Sequence, residues 1–263
     1  MGVVDLAYDD RGSGSPIVLL HAFPTDRSLW AAVADEISSD SWRVITPDFR
    51  GFGESPLGDD APSLDVVADD VIALLDSLDI ERAVIGGVSL GGYVTLNLLR
   101  RYPERVRAAV LVDTKAAADD DGAKERREAM AVAVEAAGNN EAYADGWYGS
   151  LIGPTTRSWR PEAAARVREW ASATPVQAVA WYQRAMAARR DSLDLLPSVQ
   201  VPSLIAVGTE DEITPMADAE TMRLALAHSR LAIVAASGHL SPLEAPSDLA
   251  RPLQSFLAFL PAE

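Results

Sequence analysis

Apolar residues recur along this chain in two alternating rhythms. Short apolar runs, most of them nearly continuous, occupy residues 3–8, 17–20, 43–46, 83–86, 108–112, 203–207 and 231–234. A short unbroken run of this kind predicts a strand covered on both faces, as in a parallel sheet. Between the runs, residues 28–38, 63–79, 90–102, 215–227 and 247–260 carry apolar side chains at helical spacing. In 63–79 the stripe is Val66, Val67, Ile72, Leu74, Leu75 and Leu78, with aspartates on the opposite face. Alternation of strand and helix predicts an α/β fold, a mostly parallel sheet with helices on both faces.

The rhythm breaks between residues 114 and 200. That stretch has almost no strand signal and reads as helices over 123–137, 141–151, 161–173 and 176–190. The expected organisation is therefore a core of residues 1–113 and 201–263, interrupted by a helical insertion, 114–200, lying as a lid over a pocket near the strand ends. The insertion is rich in aromatic residues: Trp147, Trp159, Trp170 and Trp181, with Tyr143, Tyr148 and Tyr182. Such rings serve either to pack the insertion on the core or to wall the cavity beneath it. Trp147, Trp159 and Trp181, with His21, are the candidate pocket walls.

Composition narrows the possible partners. With 48% apolar residues among 263, whole-chain disorder is excluded. Thirty-nine acidic against 23 basic residues leave a net charge of −16, which repels phosphate backbones and anionic lipid surfaces. No nucleic-acid or membrane partner is expected. There are no cysteines, so disulfides, thiolate metal sites and a cysteine nucleophile are excluded. No run approaches the ~18 apolar residues of a membrane span. The first ten residues do not resemble a secretory signal, and a cytoplasmic location is expected.

The sharpest chemical signal is Gly86-Gly87-Val88-Ser89-Leu90-Gly91-Gly92, between an apolar strand and a helical stretch. This is the context of a G-x-S-x-G nucleophile elbow, a turn so tight that side chains two residues either side of the serine would collide. The serine then stands at a helix N-terminus, where N–H groups favour a developing anion. Serine needs an oriented base to take its proton. Of His21, His228 and His239, His239 follows the last strand and reaches the same sheet edge as Ser89. His21 ends an earlier strand and could also reach it, but its neighbours suggest another role, and His228 lies at the opposite end of the last strand. The third group is a carboxylate holding the imidazole in one tautomer. Asp211, in the loop after the strand 203–207, is the choice, and Asp113 is the reserve. The N–H groups of Phe23 and Leu90 are candidate oxyanion donors. Asp48 and Arg50 read as a structural pair steadying their loop. Three scattered histidines and no cysteine argue against a metal site on composition, and no cofactor is expected.

These motifs together resemble the α/β-hydrolase superfamily along nearly the whole chain: HAFP at 21–24, DFRGFGES at 48–55, GVSLGG at 87–92, GTEDEITP at 208–215 and GHLSPLEAP at 238–246. The likeness is greatest to small bacterial esterases and 3-oxoadipate enol-lactonase-like hydrolases. It implies an eight-stranded, mostly parallel sheet, or a seven-stranded one without the short first strand, with a helical cap between strands 6 and 7. It also implies Ser89, Asp211 and His239 as triad, with Phe23 and Leu90 as oxyanion donors. Ala22 stands where the family usually has glycine. The activity implied is cleavage of a small carboxylic ester or lactone; a monomer or homodimer is expected. The alternatives are a C–C bond hydrolase, a perhydrolase or haloperoxidase-like enzyme with the same triad, and a ligand-binding receptor with a silent one. A serine at 89 excludes the epoxide hydrolases and haloalkane dehalogenases of this fold, which need aspartate there.

Overall fold

The computed structural model describes residues 2–141 and 149–260. Among them a seven-stranded sheet forms from β1 (Tyr8–Arg11), β2 (Ser15–Leu20), β3 (Trp42–Pro47), β4 (Ala83–Val88), β5 (Val106–Val112), β6 (Ser203–Gly208) and β7 (Ser229–Val234), in the order β1-β3-β2-β4-β5-β6-β7. Only β1 is antiparallel to its neighbour. The seven-strand alternative thus holds.

The continuous apolar runs have a direct physical reason. Successive side chains of a strand point to opposite faces, and here each face meets its own core. Val18, Leu20, Ile85, Leu111 and Ile205 pack on α2 (Leu64–Ser77) and α3 (Leu90–Arg101). Ile17, Leu19, Val84, Val110 and Leu204 turn to the other side, with α1 (Ala31–Ile37) and α10 (Pro246–Leu257). Each such side chain, fully buried, contributes about 1.5–3 kcal/mol.

The first strand departs from expectation. Of residues 3–8 only Tyr8 is in a strand, and β1 continues through Asp9, Asp10 and Arg11. As an edge strand it keeps its charges in ion pairs, Asp9 with Arg27 at 3.0 Å and Asp10 with Arg43 at 2.7 Å, so no apolar run marks it. The helix expected over 28–38 is also divided. A 3-10 turn, Arg27–Trp30, capped by Asp26, precedes α1.

Between β5 and β6 the chain is helical: α4 (Asp121–Ala137), α5 (Pro154–Trp159), α6 (Pro161–Ala173) and α7 (Val176–Ala187). Asp120 caps α4 by accepting the Ala123 N–H at 2.7 Å, and α4 packs along α7. The short α5, entered through Gly153 and Pro154, was not anticipated. Most of the helix expected over 141–151 lies outside the described residues. The remaining helices are α8 (Met216–Ala225) and the single turn α9 (Ser241–Glu244). Among the described residues no helix is long and apolar enough to cross a membrane.

Candidate active site

Ser89 leaves β4 with φ 52° and ψ −110° and begins α3. Positive φ at a serine costs on the order of 1–3 kcal/mol and persists only where the surroundings enforce it. They do so here through close backbone packing. A Cβ on Gly87 would stand 2.7 Å from the Gly91 Cα, and one on Gly91 would stand 2.8 Å from the Leu20 carbonyl carbon. The Ser89 N–H donates to Val112 O at 3.0 Å, and the Thr114 hydroxyl donates to Ser89 O at 2.8 Å. The elbow is therefore wedged between the ends of β2 and β5.

Ser89 Oγ lies 2.8 Å from His239 Nε2. His239 Nδ1 lies 2.9 Å from Asp211 Oδ2 and 3.1 Å from Oδ1. This network is satisfied with Nδ1–H donating to the carboxylate and Nε2 accepting the serine proton. Asp211 is itself locked, accepting the N–H groups of Ile213 and Thr214 at 2.9 and 3.0 Å and the Thr214 hydroxyl at 2.7 Å. Burial works against charge on both partners, yet their attraction prevails: His239 is raised above its ordinary value and Asp211 is lowered. Leu90 is the first residue of α3, whose initial N–H groups have no acceptor within the helix. Phe23 follows β2, which pairs with β4 through Leu20 and Gly87.

Asp113 does not take the acid's place on His239. Its carboxylate accepts the N–H of Gly208 and that of Ser241, each at 2.9 Å. Buried Glu244 accepts the N–H of Leu240 at 3.0 Å and of Gly153 at 2.8 Å. Sequence reading missed Glu244; the available signal was a carboxylate five residues after His239 in a mostly apolar segment.

The candidate pocket walls are dispersed. His21 is fully buried. Its Nε2 accepts the Phe49 N–H at 2.9 Å and its Nδ1–H donates to Ala22 O at 2.8 Å. Burial holds it below its ordinary value, as a neutral pin between two loops. Trp159, at the end of α5, is 80% exposed and walls nothing. Trp181 is buried against the core, its indole N–H donating to Asp60 O at 2.8 Å. Trp147 lies outside the described residues. A cleft of about 570 Å³ between α4 and α7 is lined in part by Tyr93, Met130, Gln183 and the charged Arg126 and Arg127, with Ile213 from the loop that carries Asp211.

Asp48 and Arg50 do not pair with each other. Asp48 meets Arg27 and accepts the Glu54 N–H at 3.0 Å, while Arg50 binds Asp70. Among the described residues no group of three His, Asp or Glu is arranged to hold a metal ion.

Residues 15–246 match the alpha/beta hydrolase fold family, and the chain belongs to it. It is similar to a thermophilic esterase from Thermogutta terrifontis, solved with malate bound, at 35% identity and TM-score 0.94 over 98% of this chain and 94% of that one. It is also similar to 3-oxoadipate enol-lactonase 1 of Acinetobacter baylyi, 29% identical over 93% of this chain and 88% of that protein. A non-heme chloroperoxidase of Streptomyces lividans is 31% identical over 82% of each.

Proposed function

We propose that the protein is a serine hydrolase that cleaves a small carboxylic ester or lactone through an acyl-enzyme on Ser89. The observation that carries this reading is the unbroken chain Ser89 Oγ–His239 Nε2 and His239 Nδ1–Asp211, with contacts of 2.8 and 2.9 Å, on a positive-φ serine at a helix N-terminus. Ser89 attacks the substrate carbonyl as His239 Nε2 takes its proton. The tetrahedral oxyanion is received by the N–H groups of Leu90 and Phe23. Collapse expels the alcohol oxygen, which takes the proton from His239 and leaves the acyl group on Ser89 Oγ. Water, deprotonated by the same imidazole, attacks the ester, and Ser89 regains its proton as the acid departs. Asp211 stabilises the transient imidazolium throughout without being protonated. Residues 114–200 act as a cap over the reacting centre, and the cleft beside α4 takes the apolar part of the substrate.

The test is hydrolysis of p-nitrophenyl esters from acetate to laurate by wild type and Ser89→Ala. Turnover by wild type alone supports the reading, and the chain length preferred measures the acyl site. Equal, feeble rates in both proteins overturn it. The likeness to a chloroperoxidase favours one second reading, in which hydrogen peroxide replaces water and the acyl group leaves as a peracid. Peroxide- and acetate-dependent halogenation by wild type, absent in Ser89→Ala, distinguishes it.

A further inference from the structure

The two backbone N–H groups immediately after His239 each end on a different buried carboxylate outside the triad. Leu240 N–H goes to Glu244 Oε1 at 3.0 Å and Ser241 N–H goes to Asp113 Oδ2 at 2.9 Å. The second oxygen of each carboxylate holds a separate part of the molecule. Asp113 Oδ1 accepts the N–H of Gly208, three residues before Asp211, at 2.9 Å. Glu244 Oε2 accepts the N–H of Gly153, the N-cap residue just before α5 in the insertion, at 2.8 Å. Backbones also crowd at this junction: a Cβ on Gly238 would stand 2.8 Å from the Ile152 carbonyl carbon. The histidine loop is thus tied on one side to the acid loop and on the other to the insertion.

We propose that Asp113 and Glu244 are positioning residues for His239, fixing its imidazole between Ser89 and Asp211 and setting the electrostatic environment in which it takes the proton. The inference rests on the reading of His239 as the base of a serine hydrolase.

Both side chains are fully buried, and an uncompensated carboxylate in such a place is strongly disfavoured. Asp113 feels this: burial, and next the charge of Asp211, push it up to about 7. Tying loops together does not by itself require charge. What the carboxylates add is two acceptors per side chain and negative potential at the imidazole. An amide has one acceptor oxygen, and its NH2 would face the second N–H donor to donor. The charged groups acting on His239 are Asp211 from the loop after β6, Asp113 from the end of β5 and Glu244 from α9. All three favour the imidazolium against its burial.

The experiment compares Asp113→Asn and Glu244→Gln with wild type on an ester that wild type hydrolyses, with thermal melting to verify folding. In each folded variant kcat is expected to fall about 10- to 100-fold through misplacement of the imidazole, with KM nearly unchanged. In Glu244→Gln the acid limb of kcat/KM against pH is expected to move to lower pH, because removing negative charge lowers the pKa of His239. Asp113, itself pushed up to about 7, is partly protonated across that limb, so Asp113→Asn is expected to move it less. A purely structural tie would leave that limb in place. Wild-type kcat and an unmoved limb in a folded variant overturn the proposal; either variant decides it if the other does not fold. Ser89→Ala, assayed alongside, separates the two levels. Its retaining full rate defeats the hydrolase reading, whereas an inactive Ser89→Ala beside wild-type-like Asp113→Asn and Glu244→Gln defeats only this inference.

Discussion

Gly87 and Gly91 face each other across Ser89 with room for a side chain on neither. The obstacles are backbone atoms, the Gly91 Cα 2.7 Å from a Cβ on Gly87 and the Leu20 carbonyl carbon 2.8 Å from one on Gly91, so no rotamer change relieves the overlap. Gly87→Ala and Gly91→Ala are expected to displace the elbow, lowering the melting free energy by about 1–3 kcal/mol and turnover by about 100-fold. Gly149→Ala is the control, since nothing among the described residues lies within 4 Å of a Cβ there. Its stability is expected to equal or slightly exceed wild type. Equal melting temperatures for all three variants would contradict the steric account.

Ser89 and His239, 2.8 Å apart, are expected to fail as a unit. Ser89→Ala and His239→Ala should each lower kcat by roughly 10⁴–10⁶, and the double variant little further. Steady-state kinetics of the four proteins on one ester check this. Additive losses would mean that the two side chains act separately.

The pH profile follows from the raised His239. A general base works only when neutral, so activity falls as pH drops through its pKa. Burial opposes the imidazolium, but Asp211, with smaller contributions from Asp113 and Glu244, outweighs it and holds that pKa above the ordinary 6.5. The acid-side half-maximum of kcat/KM is therefore expected above pH 6.5. Asp211→Asn removes the charge and frees the tautomer. Its limb is expected at lower pH, on a plateau reduced by about 10⁴. A half-maximum that does not move in Asp211→Asn would assign the limb to another group.

How much of this was legible in the sequence depends on whether an interaction is local. The two-sided strands were readable because Ile17 and Leu19 feed one core while Val18 and Leu20 feed the other. β1 was not, because its residues are polar and its partner strand is 33 or more residues away. Ser89 announced itself through glycines two positions to either side. Asp211 and His239 announced themselves by following strands of a parallel sheet. His21 was misread as a pocket wall because an imidazole closing two backbone groups looks, in sequence, like any strand-end histidine. Trp159 was misread because nothing in one sequence tells an exposed tryptophan from a buried one. The ties made by Asp113 and Glu244 were invisible for a plainer reason: their partners are backbone N–H groups, which carry no residue identity.

The same reasoning explains why Arg50 was paired with its neighbour Asp48 on paper and with Asp70 in the fold. Arg50 and Asp70 side chains are both fully buried, and the guanidinium grips the carboxylate in a fork, Nε to Oδ2 at 2.6 Å and Nη2 to Oδ1 at 2.8 Å. Asp70 Oδ1 also accepts the Val4 N–H at 3.0 Å, and Arg50 donates to Gly2 O at 3.1 Å. The pair thus joins α2, the loop after β3 and the N-terminal segment. Removing one partner leaves a charge buried without compensation, because Asp60 approaches Arg50 only at 3.3 Å from a more exposed position. Asp70→Asn is expected to destabilise the fold by about 3–5 kcal/mol. In urea this appears as a lower midpoint with an unchanged slope. The double variant Arg50→Met, Asp70→Leu removes both charges and keeps apolar volume, and is expected to recover much of that loss. A double variant as unstable as Asp70→Asn would show that the fork's hydrogen bonds to three segments, rather than the unpaired charge, hold this corner together.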